Sequence, residues 1–458
     1  MSFGKSRKVP AAGVVRCAAG GDAKANPKLT QRDNAPLFAV GLVACLAGGV
    51  LAFGGTEPLS WAAVEWAAFL LFGCLLGSRS ARAPYVAWPW QGAALLLAYI
   101  GVEVAWVRPD AQAAEGQILR LLASLSVFYV ALFVSRRAES LRVLVLGLLA
   151  LGLFEALYGL VQYTSGWQQI FSYKKVFYIA QATGTYVNPN HFAGLLEMIL
   201  PLSFALALER LERMNAAAQR AHHLSRSEGI AAPVFFLFSI LLLFAAILFS
   251  RSRAGLLCAS VALAALAAVW MRVGWQRTRV ALATGGVLAG AVLFGLWVGL
   301  GPVVSRFEEL GRDYRGRLDV WKDTLALVRM HPVLGWGPGT FPDAFTRVQS
   351  VFLNQTVDHA HNDYLEFAAE WGIVGAALLF GLILWLLARA ISSCLRMPQP
   401  GKRLVCLGSC GGVVALLLHS TADFNLQIPA NGLVFAALLG VAYSSVYHVP
   451  GETCGGKA

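Results

Sequence analysis

Runs of apolar residues, each roughly 18 to 25 long, alternate with short polar stretches along most of the chain. As a helix, a run of that length crosses the hydrocarbon layer of a bilayer, about 30 Å thick. The runs predict membrane helices near 36–55, 59–78, 87–107, 117–135, 141–163, 191–209, 231–250, 254–271, 280–303, 366–389, 404–420 and 431–448. The expected architecture is therefore an all-α polytopic membrane protein with about 12 transmembrane helices. One long polar interval breaks the rhythm, from about 304 to 365. Inside it, Leu318, Trp321, Leu325 and Val328 mark one face of a helix over Leu318–Met330. The turn HPVLGWGPGTF follows, then an amphipathic run from Phe341 to Val351. An interval this long with structure of its own is usually functional.

Composition agrees with the pattern. Of 458 residues, 57% are hydrophobic and 14% charged. Soluble domains run near a quarter charged. A net charge of +12 would suggest a nucleic-acid partner on a soluble surface. Here the Lys and Arg fall between the apolar runs and read as orientation signals. With both termini cytoplasmic, about 24 of the 37 Lys and Arg lie inside and about 13 outside. Residues 1–35 are basic, rich in Ala and Gly, and lack the apolar core and cleavage site of a signal peptide, so they are expected to form a disordered cytoplasmic tail. A second cytoplasmic tail is expected at 449–458. The eight cysteines are scattered, mostly within apolar runs; Cys406 and Cys410 share a helix face and read as packing. No metal and no cofactor are expected.

Most of the outside charge concentrates at Arg251 and Arg253 and in the long interval, which carries seven basic residues. An anionic substrate would explain that excess. Arg251 and Arg253 stand between two spans, where they either snorkel to the interface or hold phosphate. Arg315 and Arg317 open the interval's helix; the alternatives are an interfacial helix anchored by Trp321 and a diphosphate site. His359, His361, Asn362, Asp363 and Glu366 crowd the start of the tenth span, a density that suits proton exchange near neutral pH. Asn190, in Asn188-Pro189-Asn190, and Asp423, after the eleventh span, are candidates for the same face, with a helix cap and simple solvation as their structural alternatives.

The order SRAG, GRLDVW, HPVLGWGPGTF and HAHNDYLEFAAEWGIVG, set between membrane spans, resembles the O-antigen ligase and polymerase superfamily of bacterial membrane proteins. The resemblance covers about Thr183 to Asp423. It implies a GT-C-like helical fold with a large structured periplasmic loop at 304–365. Residues 36–163 would hold the first five helices and 164–448 the ligase or polymerase core. It also implies metal-independent glycosyl transfer at the periplasmic face of the inner membrane. The donor would be a polyprenyl-diphosphate-linked glycan and the acceptor a glycan or lipid core. Arg253, Arg317 and His361 take the family's key positions, with Arg251, Arg315 and His359 as doubled neighbours. Asp363 or Glu366 is the expected holder of the His361 tautomer. A membrane transporter is the competing reading, and it would require ionisable groups at mid-membrane and an internal repeat.

Overall fold

The computed structural model describes residues 34–78, 88–220, 226–273, 285, 310–350 and 356–447, except for the side chains of residues 88, 215–220, 226–230, 272–273 and 310–315. Of the expected tails, residues 1–33 and 449–458 lie outside these residues, while Ala35 already opens a helix; the expected span at 280–303 lies outside them apart from Gly285.

The described chain is almost wholly helical, and its one sheet is a two-stranded antiparallel ribbon, β1 (Gln169–Ile170) with β2 (Tyr173–Lys174). In chain order the first helices are α1 (Ala35–Leu51), α2 (Pro58–Gly77), α3 (Trp88–Val107), α4 (Ala111–Val134) and α5 (Ala138–Ser165). The ribbon leads to α6 (Pro189–Arg220), α7 (Arg226–Ser250) and α8 (Arg253–Val273). The polar interval holds α9 (Leu310–Met330), α10 (Phe341–Phe345) and α11 (Asp363–Glu370). The chain then closes with α12 (Gly372–Arg396), α13 (Pro400–His419) and α14 (Pro429–Tyr443). Among the described residues, ten helices are long and apolar enough to cross a membrane, and α1 is apolar but shorter. The protein is an all-α, multi-pass membrane protein.

Helix α6 is the axis, buried along its whole apolar length among α5, α7, α8 and α13. Its contact with α13 is close because Gly412 leaves room; a Cβ there would overlap the Met198 carbonyl. Small residues at helix interfaces serve this purpose where lipid supplies no hydrophobic drive between helices. α14 packs on α4 and α13, completing the inner layer.

Two differences from the sequence expectation bear on the site. The interval's helix begins at Leu310 rather than Leu318. The expected span 366–389 is two helices, because the chain breaks between Glu370 and Gly372. Gly372 has φ +64, and a Cβ on it would press into the Val333 carbonyl and lie 2.8 Å from the Leu334 nitrogen. Gly335, φ +70, is held as closely against the Glu370 carbonyl. The turn after α9 thus clasps the α11–α12 break, with Trp336 N–H donating to Ala369 (3.0 Å), Gly337 N–H to Glu370 (2.8 Å) and Ile373 N–H to Pro332 (2.8 Å). Apolar composition carries on through this stretch, so hydropathy could not show the break. Its effect is to free α11 from the membrane helix and lay it against α9.

Candidate active site

The site forms where the starts of α6 and α11 and the first half of α9 meet the turn after α13. Asn188 and Pro189 start α6 as cap and first residue, the Asn188 side chain accepting from Asn190 N–H at 2.9 Å. That leaves the Asn190 side chain available, and its Nδ2 donates to Asp423 Oδ2 at 2.7 Å. The cap and the site role therefore fall to different residues of the same tripeptide. Asn362 caps α11, accepting from Leu365 N–H (3.1 Å), while its Nδ2 donates to the Thr421 carbonyl (3.0 Å). Asp363 is buried; its N–H donates to Ser420 O (2.9 Å) and its Oδ2 accepts from Leu426 N–H (3.0 Å). These two residues latch the segment that carries His361 onto the turn that carries Asp423. Their polar groups serve the latch.

Asp423 is the centre. Its side chain is 1% exposed, yet it carries a carboxylate with several donors around it. His361 Nδ1 lies 3.2 Å from Oδ1, Phe424 N–H donates to the same oxygen at 3.0 Å, and Arg317 Nη2 stands 3.7 Å from Oδ2. Arg317 Nη1 also donates to the Ala422 carbonyl, and His191 Nε2 is 4.0 Å from Oδ1. Burial alone would raise the Asp423 carboxyl, but His361 and Arg317 outweigh it and hold the group well below the ordinary carboxylate range. An ionised Asp423 places the His361 proton on Nδ1 and frees Nε2 to accept one. The His361 ring is 36% exposed, enough for an incoming group to reach it. Its backbone is left-handed, φ +51, an uncommon state for a non-glycine residue and one often kept at functional sites.

Phe424 organises three histidines. His359 stacks on its ring at 4.0 Å, with His361 and His191 edge-on at 5.0 and 4.6 Å. His359 has a carboxylate of its own: Nδ1 is 2.7 Å from Glu366 Oε1, while Glu366 Oε2 accepts from Ala360 N–H at 2.8 Å. Burial works against protonation of His359, but Glu366 prevails and lifts its pKa above the ordinary value. The expectation that Asp363 or Glu366 holds His361 is thereby corrected: Asp423 holds it, Glu366 holds His359, and Asp363 holds the turn. The reason is geometric, since α11 turns both carboxylates inward, away from His361 two and five residues earlier.

Of the expected arginines, Arg317 reaches the Asp423 cluster. Arg251 occupies the two-residue link between α7 and α8 with φ +59, and Arg253 opens α8. The first turn of α8 packs beside the site helix, since a Cβ on Gly255 would lie 2.7 Å from Ala193 Cβ. The backbone of Arg315 lies in α9, and its side chain is outside those described. Three contributors escaped the sequence reading. His191 follows Asn190 and Phe424 follows Asp423 in the chain, but only the folded contacts single them out. The third is a fully buried pair inside the bundle, His419 Nδ1 to Glu197 Oε1 at 3.0 Å. A glutamate in the apolar run of α6 was its available signal, because ionisable residues at membrane depth are usually functional.

Residues 238–380, about a third of the chain, match the family described as O-antigen ligase. The match takes in Arg251, Arg253, Arg317, His359, His361 and Glu366, while Asn190 and Asp423 lie beyond its two ends. No curated protein matches the chain. The chain thus carries, over residues 238–380, a domain that matches the O-antigen ligase family.

Proposed function

We propose that this protein transfers a glycan from a polyprenyl-diphosphate donor to a hydroxyl acceptor at the outer face of the bacterial inner membrane, as a ligase or a polymerase of surface polysaccharide. The observation that carries the reading is the buried carboxylate of Asp423, shared by Arg317 and His361. Transfer from a diphosphate needs positive charge where the leaving group forms and a base where the acceptor loses its proton. Here the guanidinium and the imidazole are fixed by the same anion. The acceptor oxygen attacks the anomeric carbon, the bond from that carbon to the diphosphate oxygen breaks, and its electron pair leaves with the diphosphate. The acceptor proton passes to His361 Nε2. Arg317, with Arg253 supplying a second fork from α8, neutralises the departing charge. Asn190 and Asp423 position this pair. The chemistry requires no metal, since guanidiniums take the electrostatic role.

The test is glycan transfer in membranes of a host that lacks its own copy of the gene. His361→Ala and Arg317→Lys should each reduce transfer at least a hundredfold at equal protein levels. Near-normal rates in both variants would reject the assignment.

A further inference from the structure

The turn HPVLGWGPGTF contributes nothing to the Asp423 cluster, yet it forms one wall of a groove of about 750 Å³. The opposite wall is the α3–α4 corner, Trp106 to Asp110, brought in by contact of Pro109 with Gly337. Two indoles face this space. Trp106 is 79% exposed. Trp336 is fixed by its Nε1 donating to the Leu327 carbonyl at 3.2 Å, with the His331 ring edge-on at 4.4 Å and the Arg347 guanidinium 5.2 Å from its centroid. Arg108, Asp110, Asp343 and Arg347 are exposed around the rim.

Aromatic faces with a ring of carboxylates and guanidiniums suit a saccharide, whose C–H faces lie on the rings and whose paired hydroxyls bridge planar charged groups. Two arginines balance two aspartates, so the rim selects for hydroxyls over a phosphate. Small-molecule sites run from about 300 to about 1,000 Å³, so the groove would take roughly three sugar units. Its position is set by α11, which has the His361 end at its start and the groove's supporting turn hydrogen-bonded to its last two residues. Eight helical residues make that separation about 12 Å, roughly two sugar units. The Arg317 guanidinium and the His361 ring meet at the Asp423 carboxylate, at the far end of α11 from the groove. The groove's balanced rim favours the saccharide of an acceptor over the diphosphate end of a donor.

We propose that this groove binds the saccharide chain of the acceptor, a few units behind the hydroxyl that attacks. The inference rests on the transfer reading above. It is tested with the full-length protein in lipid nanodiscs and, as probe, reducing-end-tagged oligosaccharides of two to five units cleaved from the host's surface polysaccharide. Binding is read by saturation-transfer NMR and fluorescence anisotropy. Affinity should rise with length and level off near four units. Trp106→Ala and Asp343→Ala should each weaken binding at least fivefold. In transfer, the same two groove variants should raise the acceptor KM at least fivefold and leave the donor KM in place. Unchanged binding in both groove variants overturns the proposal, and so does a shift in the donor KM alone. Wild-type protein that binds the probe but transfers nothing would sustain the groove while refuting the proposed function.

Discussion

Asp423→Asn is the most incisive substitution, because it keeps the volume of a buried side chain and removes only its charge. Two losses follow. The first is the contact with Arg317, whose Nη2 stands 3.7 Å from the carboxylate. Unit charges at that separation attract by about 4 kcal/mol at an effective dielectric of ~20. The guanidinium is 32% exposed, however. Solvent screening reduces the attraction to about 1 kcal/mol. The second loss is the charge-assisted bond to His361, which adds about 2 kcal/mol. Together they amount to about 3 kcal/mol, or a fall of roughly a hundredfold in turnover. The assay is initial transfer rate with purified protein at saturating donor and acceptor, for wild type, Asp423→Asn, His361→Ala and the double variant. If Asp423 acts largely through His361, the double variant should be at least tenfold faster than the product of the single effects would give. A rate for Asp423→Asn within fivefold of wild type, or effects that simply multiply, would refute the shared-carboxylate account.

Three further outcomes follow from the geometry. Gly335→Ala and Gly372→Ala each force a Cβ against a carbonyl oxygen from a left-handed backbone. Each should cost about 2 kcal/mol of stability or more, and expose the polar interval to limited proteolysis in intact membranes. Burial pushes the Asp363 carboxyl up to about 8. Its unfolded value is about 3.9, so the folded state holds an extra proton between the two. That contribution is complete below the unfolded pKa and lost as pH rises to about 8; wild-type Tm should fall from about pH 4 to about pH 8 and level off above it, and Asp363→Asn should show a shallower decline. Phe424→Ala removes the surface shared by His359, His361 and His191 and should lower transfer at least tenfold with a measurable drop in Tm, whereas Phe424→Tyr retains both.

Hydropathy revealed the membrane helices because each is a long apolar run, and it revealed the polar interval because no other stretch between the runs is polar for that long. His361 and Arg317 were legible for a related reason: charged and titratable residues are scarce here, and density marks them. Their partners were not. Asp423 lies 62 residues from His361 and 106 from Arg317 along the chain, and the Asn362–Asp363 latch brings the turn after α13 within reach. Asp363 and Glu366 were the nearer acids in sequence, but helical spacing aims them elsewhere. The break at Gly372 left no mark in hydropathy, since its cause is a clasp from residues nearly forty positions earlier. The Glu197–His419 pair was hidden by separation as well, each partner looking like a stray polar residue in an apolar run.

Whether the Arg317–Asp423–His361 cluster transfers glycan is decided by reconstituting the purified protein in vesicles with a lipid-linked glycan donor, first alone and then with acceptor, and counting products. One polyprenyl diphosphate should be released for each new glycosidic bond, only when acceptor is present, and His361→Ala and Arg317→Lys should abolish both together. Donor that stays intact, or that crosses the bilayer unchanged, would overturn the assignment of this site to glycan transfer.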